Sequence, residues 1–175
     1  MLREQGLEIG ERLVPREIID FMLEPYFENC RYLREANMTF PSEGRPVMNA
    51  RLSIPHCCYG HGPGHFNATE FILGFNQMAY VYLANAIEED INLGLGMRTK
   101  EEFKEKQMDG SYIVRLNEIR FRKPIHPQDF TGNLRVDRLR VQGPNTFYTM
   151  NIGFEDRNEG EARGSILISV ANNNK

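Results

Sequence analysis

Residues 66–89 read FNATEFILGFNQMAYVYLANAIEE, and the fold turns on how that stretch is read. Phe71, Ile72, Phe75, Met78, Ala79, Tyr82, Leu83, Ala86 and Ile87 recur at steps of three and four, the period of an α-helix. The apolar residues cover more than a narrow stripe, so the spacing predicts a buried helix. Asn67 stands three residues before Glu70, the spacing of a capping box, which puts the helix start at Asn67.

Immediately upstream the chain reads GHGPGHFNATE over residues 60–70. One reading is a phosphate loop, since Gly60, Gly62 and Gly64 precede a helix. No βαβ pattern follows, however, and no P-loop lysine is present. A second is a metal site, since His56, Cys57, Cys58, His61 and His65 bring five soft ligands within ten residues. Their spacing matches no common zinc pattern, and Cys57 and Cys58 would face opposite sides of a strand, so no metal is expected. The third is a helix start aimed at a substrate. Its glycines let the backbone turn sharply, and its first turn offers free N–H groups and a positive dipole end. Such a site polarises a carbonyl or holds an enolate. Asn67 as a cap alone stays open beside cap and active site together. His65 suits proton transfer or a structural role, and Glu70 suits catalysis or capping.

The 175 residues fit one domain, 1–175, and 41% apolar content allows a real core. No run has the length a membrane helix needs, and residues 1–12 lack a signal peptide's apolar centre, so a cytoplasmic protein is expected. Three cysteines (Cys30, Cys57, Cys58) make no disulfide framework. A net charge of -3 argues against nucleic acid as a partner. The charge is uneven: residues 1–114 carry -6, whereas residues 115–140 carry +4 through Arg115, Arg120, Arg122, Lys123, Arg135, Arg138 and Arg140. That segment is either a solvated strand face or an anion-binding patch.

A helix is expected over 15–23, with Ile18, Ile19, Met22 and Leu23 on one side, ended by Glu24-Pro25. Strands are expected near 31–40 and 47–54, then the buried helix, then a short polar helix over 98–107 with Thr99 and Glu102 spaced for a capping box. Four strands follow near 111–122, 130–141, 146–156 and 163–171, with turns at 143–145 and 157–160. The order predicts an α+β fold in which a curved antiparallel sheet wraps one long helix. Phe121-Arg122-Lys123-Pro124-Ile125-His126-Pro127-Gln128-Asp129 between two late strands resembles a pattern of hotdog folds.

The 17 residues 64–80, GHFNATEFILGFNQMAY, resemble the core motif of the FcoT-like hotdog family. Glu24-Pro25-Tyr26, Cys30-Arg31-Tyr32-Leu33 and Phe121-Arg122-Lys123-Pro124 resemble its other landmarks. The resemblance implies an enzyme that adds glycine to C3 of a (2E)-enoyl thioester on an acyl carrier protein and hydrolyses the thioester, as in isonitrile lipopeptide or β-amino acid pathways. A long-chain acyl-CoA or acyl-carrier thioesterase is the alternative, and a non-catalytic acyl-chain binding module a third. It also implies a pocket of Tyr26, Tyr59, Asn67, Asn76 and Tyr80, a homodimer or higher homo-oligomer, and no cofactor beyond the phosphopantetheine that the substrate carries. Arg122 and Lys123 are the cations expected to hold the glycine carboxylate or the pantetheine phosphate. Hotdog dehydratases pair a histidine with a glutamate farther along the helix. Here the next acids, Glu88 and Glu89, stand at its far end. From the residues alone, Asn76 and Tyr80 share a helix face, four apart, and must be satisfied internally or by a ligand.

Overall fold

The computed structural model describes residues 10–173; residues 1–9, most of the stretch without a leader-like apolar centre, lie outside it. Helix α1 (Arg16–Leu23) buries Ile18, Ile19, Met22 and Leu23, the four residues that the period selects. Strands β2 (Leu33–Phe40) and β3 (Val47–Leu52) follow, then α2 (Ala68–Glu88), α3 (Lys100–Asp109), β4 (Ser111–Lys123), β5 (Phe130–Gln142), β6 (Asn145–Glu155) and β7 (Glu161–Ala171). Two short elements were not expected: a 3₁₀ turn over Glu28–Cys30, and β1 (Gly10–Leu13), which pairs antiparallel with β2. Its sequence GERL has no strand signature. It is held from outside, by the ladder to β2, by Arg12 to Glu89 at 2.6 Å and by Arg12 stacked over Phe40.

The seven strands form one antiparallel sheet in the order β1-β2-β3-β5-β6-β7-β4. Helix α2 lies against it, touching residues from Leu52 of β3 to Gly164 of β7. Helix and sheet approach closely at Gly132, where an added Cβ would stand 2.5 Å from Met78 Sδ. Below the helix start, Phe66, Phe71, Phe130 and Phe154 pack edge to face, with centroids 5.1–6.5 Å apart.

Helices α1 and α3 pack against α2, with α3 meeting it at Tyr80 and Glu88. Lys104 of α3 reaches the Phe21 carbonyl and the Glu24 carboxylate, placing a cation at the C-terminal end of α1. In α3 the cap is modified. Thr99 accepts the Glu102 N–H, but the Glu102 carboxylate returns to the N–H of Arg98, not of Thr99. Along α2 runs a stripe of exposed Thr69 and half-buried Ile72, Leu73, Asn76 and Tyr80. Strand β4 ends the sheet, carries three register shifts, and exposes Tyr112, Val114, Leu116 and Phe121.

Candidate active site

The helix start follows its sequence signature. Asn67 Oδ1 accepts the Thr69 N–H at 2.7 Å, and the Glu70 carboxylate accepts the Asn67 N–H at 3.1 Å. The segment before it is fixed by close packing at Gly64, whose N–H donates to the Pro55 carbonyl.

Four sequence-selected residues meet here. Tyr59 Oη and His65 Nε2 are 2.7 Å apart, Asn67 Nδ2 donates to Tyr59 Oη at 3.2 Å, and His65 Nε2 stands 3.5 Å from Glu70 Oε1. Glu70 is 1% exposed, and Oε1 makes no hydrogen bond. With its oxygen accepting from Asn67, the Tyr59 hydroxyl has its proton free for Nε2. Partial burial, and then the Glu70 carboxylate, raise the Tyr59 phenol above its ordinary range, so it stays a donor. A proton arriving on His65 Nε2 gains an ionic partner in Glu70. The arrangement is a run of contacts from a phenol through an imidazole to a buried carboxylate beside a helix N-terminus.

A cavity of about 410 Å³ opens at the same place, lined by Phe66, Asn67, Ala68 and the end of β4 from Phe121 through Arg122, Lys123 and Pro124 to Ile125. Ala68 is the first helical residue, and its N–H is one of the first-turn donors without an intrahelical acceptor. Arg122 and Lys123 stand exposed at the rim, paired with Glu161 and Glu159. A larger depression of about 980 Å³ lies on the outer face of the sheet, where Arg51, Arg120, Arg135 and Arg163 alternate with Glu35, Glu118 and Glu155. It has no histidine and no helix terminus; it shares Arg122 with the cavity. The smaller cavity has the helix start, Asn67 and Ala68, at its wall, with Tyr59, His65 and Glu70 next to it and not among its lining residues.

The other expected pocket residues lie elsewhere on the same helix. Asn76 is nine residues beyond Asn67, roughly 13 Å along the axis. Its side chain has no hydrogen-bond partner among the described residues. Tyr80 and Tyr26 are neighbours: Tyr80 Oη donates to the Gln107 carbonyl at 3.3 Å, and burial, then Tyr80, raise the Tyr26 phenol. The Asn76–Tyr80 pairing considered from spacing is thus not formed. Cys57 and Cys58 occupy a loop, not a strand, and no group of three or more metal-ligating side chains gathers among the described residues.

Gln77, fully buried, is a residue that the sequence reading passed over. Its Oε1 accepts the N–H groups of Tyr32 and Leu33, and its Nε2 donates to the Cys30 carbonyl at 2.6 Å. It clamps the start of β2 to α2. A glutamine in the middle of an apolar helix face was the available signal.

A long buried helix laid on an antiparallel sheet, with polar groups converging at its start, defines a hotdog fold. The dehydratase domain of RzxB from Pseudomonas fluorescens shares that fold, with a TM-score of 0.54 and 11% identity over 96% of this chain and 54% of that one. A thioesterase-like structure from Syntrophus aciditrophicus does too, with a TM-score of 0.51 and 10% identity over 89% and 94% of the chains. The chain belongs to the family of the FcoT-like thioesterase domain, which it matches over residues 21–170. Its relatives include the (2E)-enoyl-[ACP] glycyltransferases of Streptomyces coeruleorubidus, 30% identical over 86% of this chain and 93% of that protein, and of Mycobacterium tuberculosis, 34% identical over 91% and 88%.

Proposed function

We propose that this protein is an enzyme that adds glycine to C3 of a (2E)-enoyl thioester on an acyl carrier protein and then hydrolyses the thioester. The observation that carries this reading is the run of contacts Tyr59–His65–Glu70 at the start of a buried helix beside a cavity, in a chain related to enoyl-carrier glycyltransferases.

The thioester carbonyl sits at the helix start. As the glycine nitrogen bonds to C3, the C2=C3 electrons move onto the carbonyl oxygen, and the Ala68 N–H and the helix dipole stabilise the enolate. His65 Nε2 takes the ammonium proton, with Glu70 as the counter-charge, and returns it to C2. Water then attacks C1 and the carrier thiol leaves, giving a 3-(carboxymethylamino) acid. These steps use no resident cofactor or metal; the phosphopantetheine belongs to the substrate. Comparing (2E)-enoyl and saturated thioesters of one chain length, each with glycine, tests the reading. Faster turnover of the enoyl form is expected, and equal rates would leave hydrolysis alone, the second reading that the family's thioesterase description favours.

Arg122 and Lys123 at the rim hold the substrate's anionic group. Replacing both by alanine is expected to raise KM roughly five-fold, the scale of an exposed charge contact, with less change in kcat and a smaller effect at high salt. An unchanged KM would make them a solvated strand end.

The chain works as a homo-oligomer. The free edge and exposed apolar side chains of β4, and the half-open stripe of α2, support a second copy seated there. Asn76 and Tyr80 then line the substrate path from that stripe. Asn76→Ala and Tyr80→Phe are each expected to lower kcat/KM about ten-fold; Asn76→Ala leaves no partner unsatisfied and should change Tm little, whereas Tyr80→Phe also removes the bond to the Gln107 carbonyl and should cost about 1 kcal/mol. Variants that melt early at wild-type turnover would return both residues to the core.

A further inference from the structure

The cysteines, which the mechanism does not use, gather beside this run of contacts. Cys30, 8% exposed, ends the 3₁₀ turn before β2, and its Sγ lies 4.0 Å from the Cys58 carbonyl oxygen. Cys58 is half-buried, and its Sγ hydrogen-bonds with the buried Tyr32 hydroxyl at 3.1 Å. Cys57 belongs to its own loop: its N–H donates to the Gly62 carbonyl, and its Sγ lies 3.6 Å from where a Cβ on Gly60 would stand. Both loop cysteines lie near enough to act on Cys30, but Cys58 is the one in direct contact with it, and its sulfur also meets the Tyr32 hydroxyl beside β2. Gln77 clamps the Cys30 carbonyl, and Tyr59 follows Cys58 directly in the chain.

We infer that Cys30 and Cys58 are a modification site, an oxidisable pair that closes to a disulfide with hydrogen peroxide as the oxidant and displaces the neighbouring Tyr59. The peroxide oxygen transfers to the more open sulfur, giving Cys58–SOH and water. Cys30 sulfur then attacks Cys58 sulfur, and its proton leaves with the hydroxide as a second water. Burial first, and then contact with Cys58, push the Cys30 thiol up to about 12, so Cys30 is not the sulfur that peroxide oxidises first and acts only afterwards, as the resolving thiol. The bond draws Cys58 off the Tyr32 hydroxyl, and the shift passes along the chain to the tyrosine that holds His65.

The test is peptide mapping of folded protein after hydrogen peroxide treatment, with thiols blocked before digestion. A Cys30–Cys58 linked peptide, two hydrogens lighter than its parts and restored by dithiothreitol, is expected in the wild type and in Cys57→Ser but not in Cys58→Ser. No linked peptide, or a link through Cys57, overturns the inference. Turnover of the oxidised wild type should fall about ten-fold and recover on reduction, as a small displacement at a reacting group would cause. Unchanged turnover with the link formed overturns the coupling to Tyr59. This second readout rests on the function proposed above, whereas the linked peptide does not, so the two can fail separately.

Discussion

Glu70→Gln is expected to cut kcat/KM about 100-fold, within the range that a positioned acid or base contributes, while Tm stays within a few degrees of wild type. The two roles of Glu70 are separable by this change. One carboxylate oxygen accepts the Asn67 N–H and completes the helix cap; the other is buried without a hydrogen bond, 3.5 Å from His65 Nε2. Glutamine keeps an acceptor for the cap but removes the charge that partners protonated His65. Glu70→Ala removes both and should also lose about 1 kcal/mol of stability. Thermal melts with steady-state kinetics on the two variants check this. Wild-type turnover in a less stable Glu70→Gln would leave capping as the only role.

Gly64→Ala is expected to cost about 3 kcal/mol or more, a drop in Tm of roughly 6–12 °C for a chain of this size. A Cβ at Gly64 would stand 1.6 Å from the Ile54 carbonyl oxygen and 2.6 Å from its carbon. Both are backbone atoms, and that backbone is held by the Ile54 N–H on the Pro127 carbonyl at 2.7 Å. Neither side can yield without moving the segment that delivers His65 to Tyr59 and Glu70, so activity should fall as well. Gly60→Ala is the control, since a Cβ there meets only Cys57 Sγ at 3.6 Å, an ordinary contact. Equal melting temperatures for the two variants would contradict the packing argument.

What could be read from the sequence was what local chemistry dictates. Helix α2 announced itself by period and by a cap whose donor and acceptor lie three residues apart, and both hydrogen bonds of that cap are formed. The strands after it were bounded by turn residues, so the α+β layout followed, and the resemblance of residues 121–129 and 64–80 made it a hotdog fold. Strand β1 was illegible because nothing in GERL favours a strand; its pairing and its Arg12–Glu89 bridge come from residues 24 or more positions away. At the site, Tyr59, His65, Asn67 and Glu70 were each legible as candidates, but their convergence depends on how the loop over 56–64 folds back through the His56–Pro63 bridge. The separation of Asn76 and Tyr80 from the helix start follows from helical rise, while the partner of Tyr80, the Gln107 carbonyl, comes from α3 and leaves no mark near residue 80.

The central claim is that glycine becomes covalently part of the product. The direct measurement is the mass of the acid released from a (2E)-dodecenoyl thioester of acyl carrier protein in the presence of glycine labelled with ¹³C and ¹⁵N. An acid that carries the whole labelled glycine, bonded through nitrogen at C3 and formed only when glycine is present, is the predicted result. Release of unlabelled dodecenoic acid at the same rate with and without glycine would contradict it.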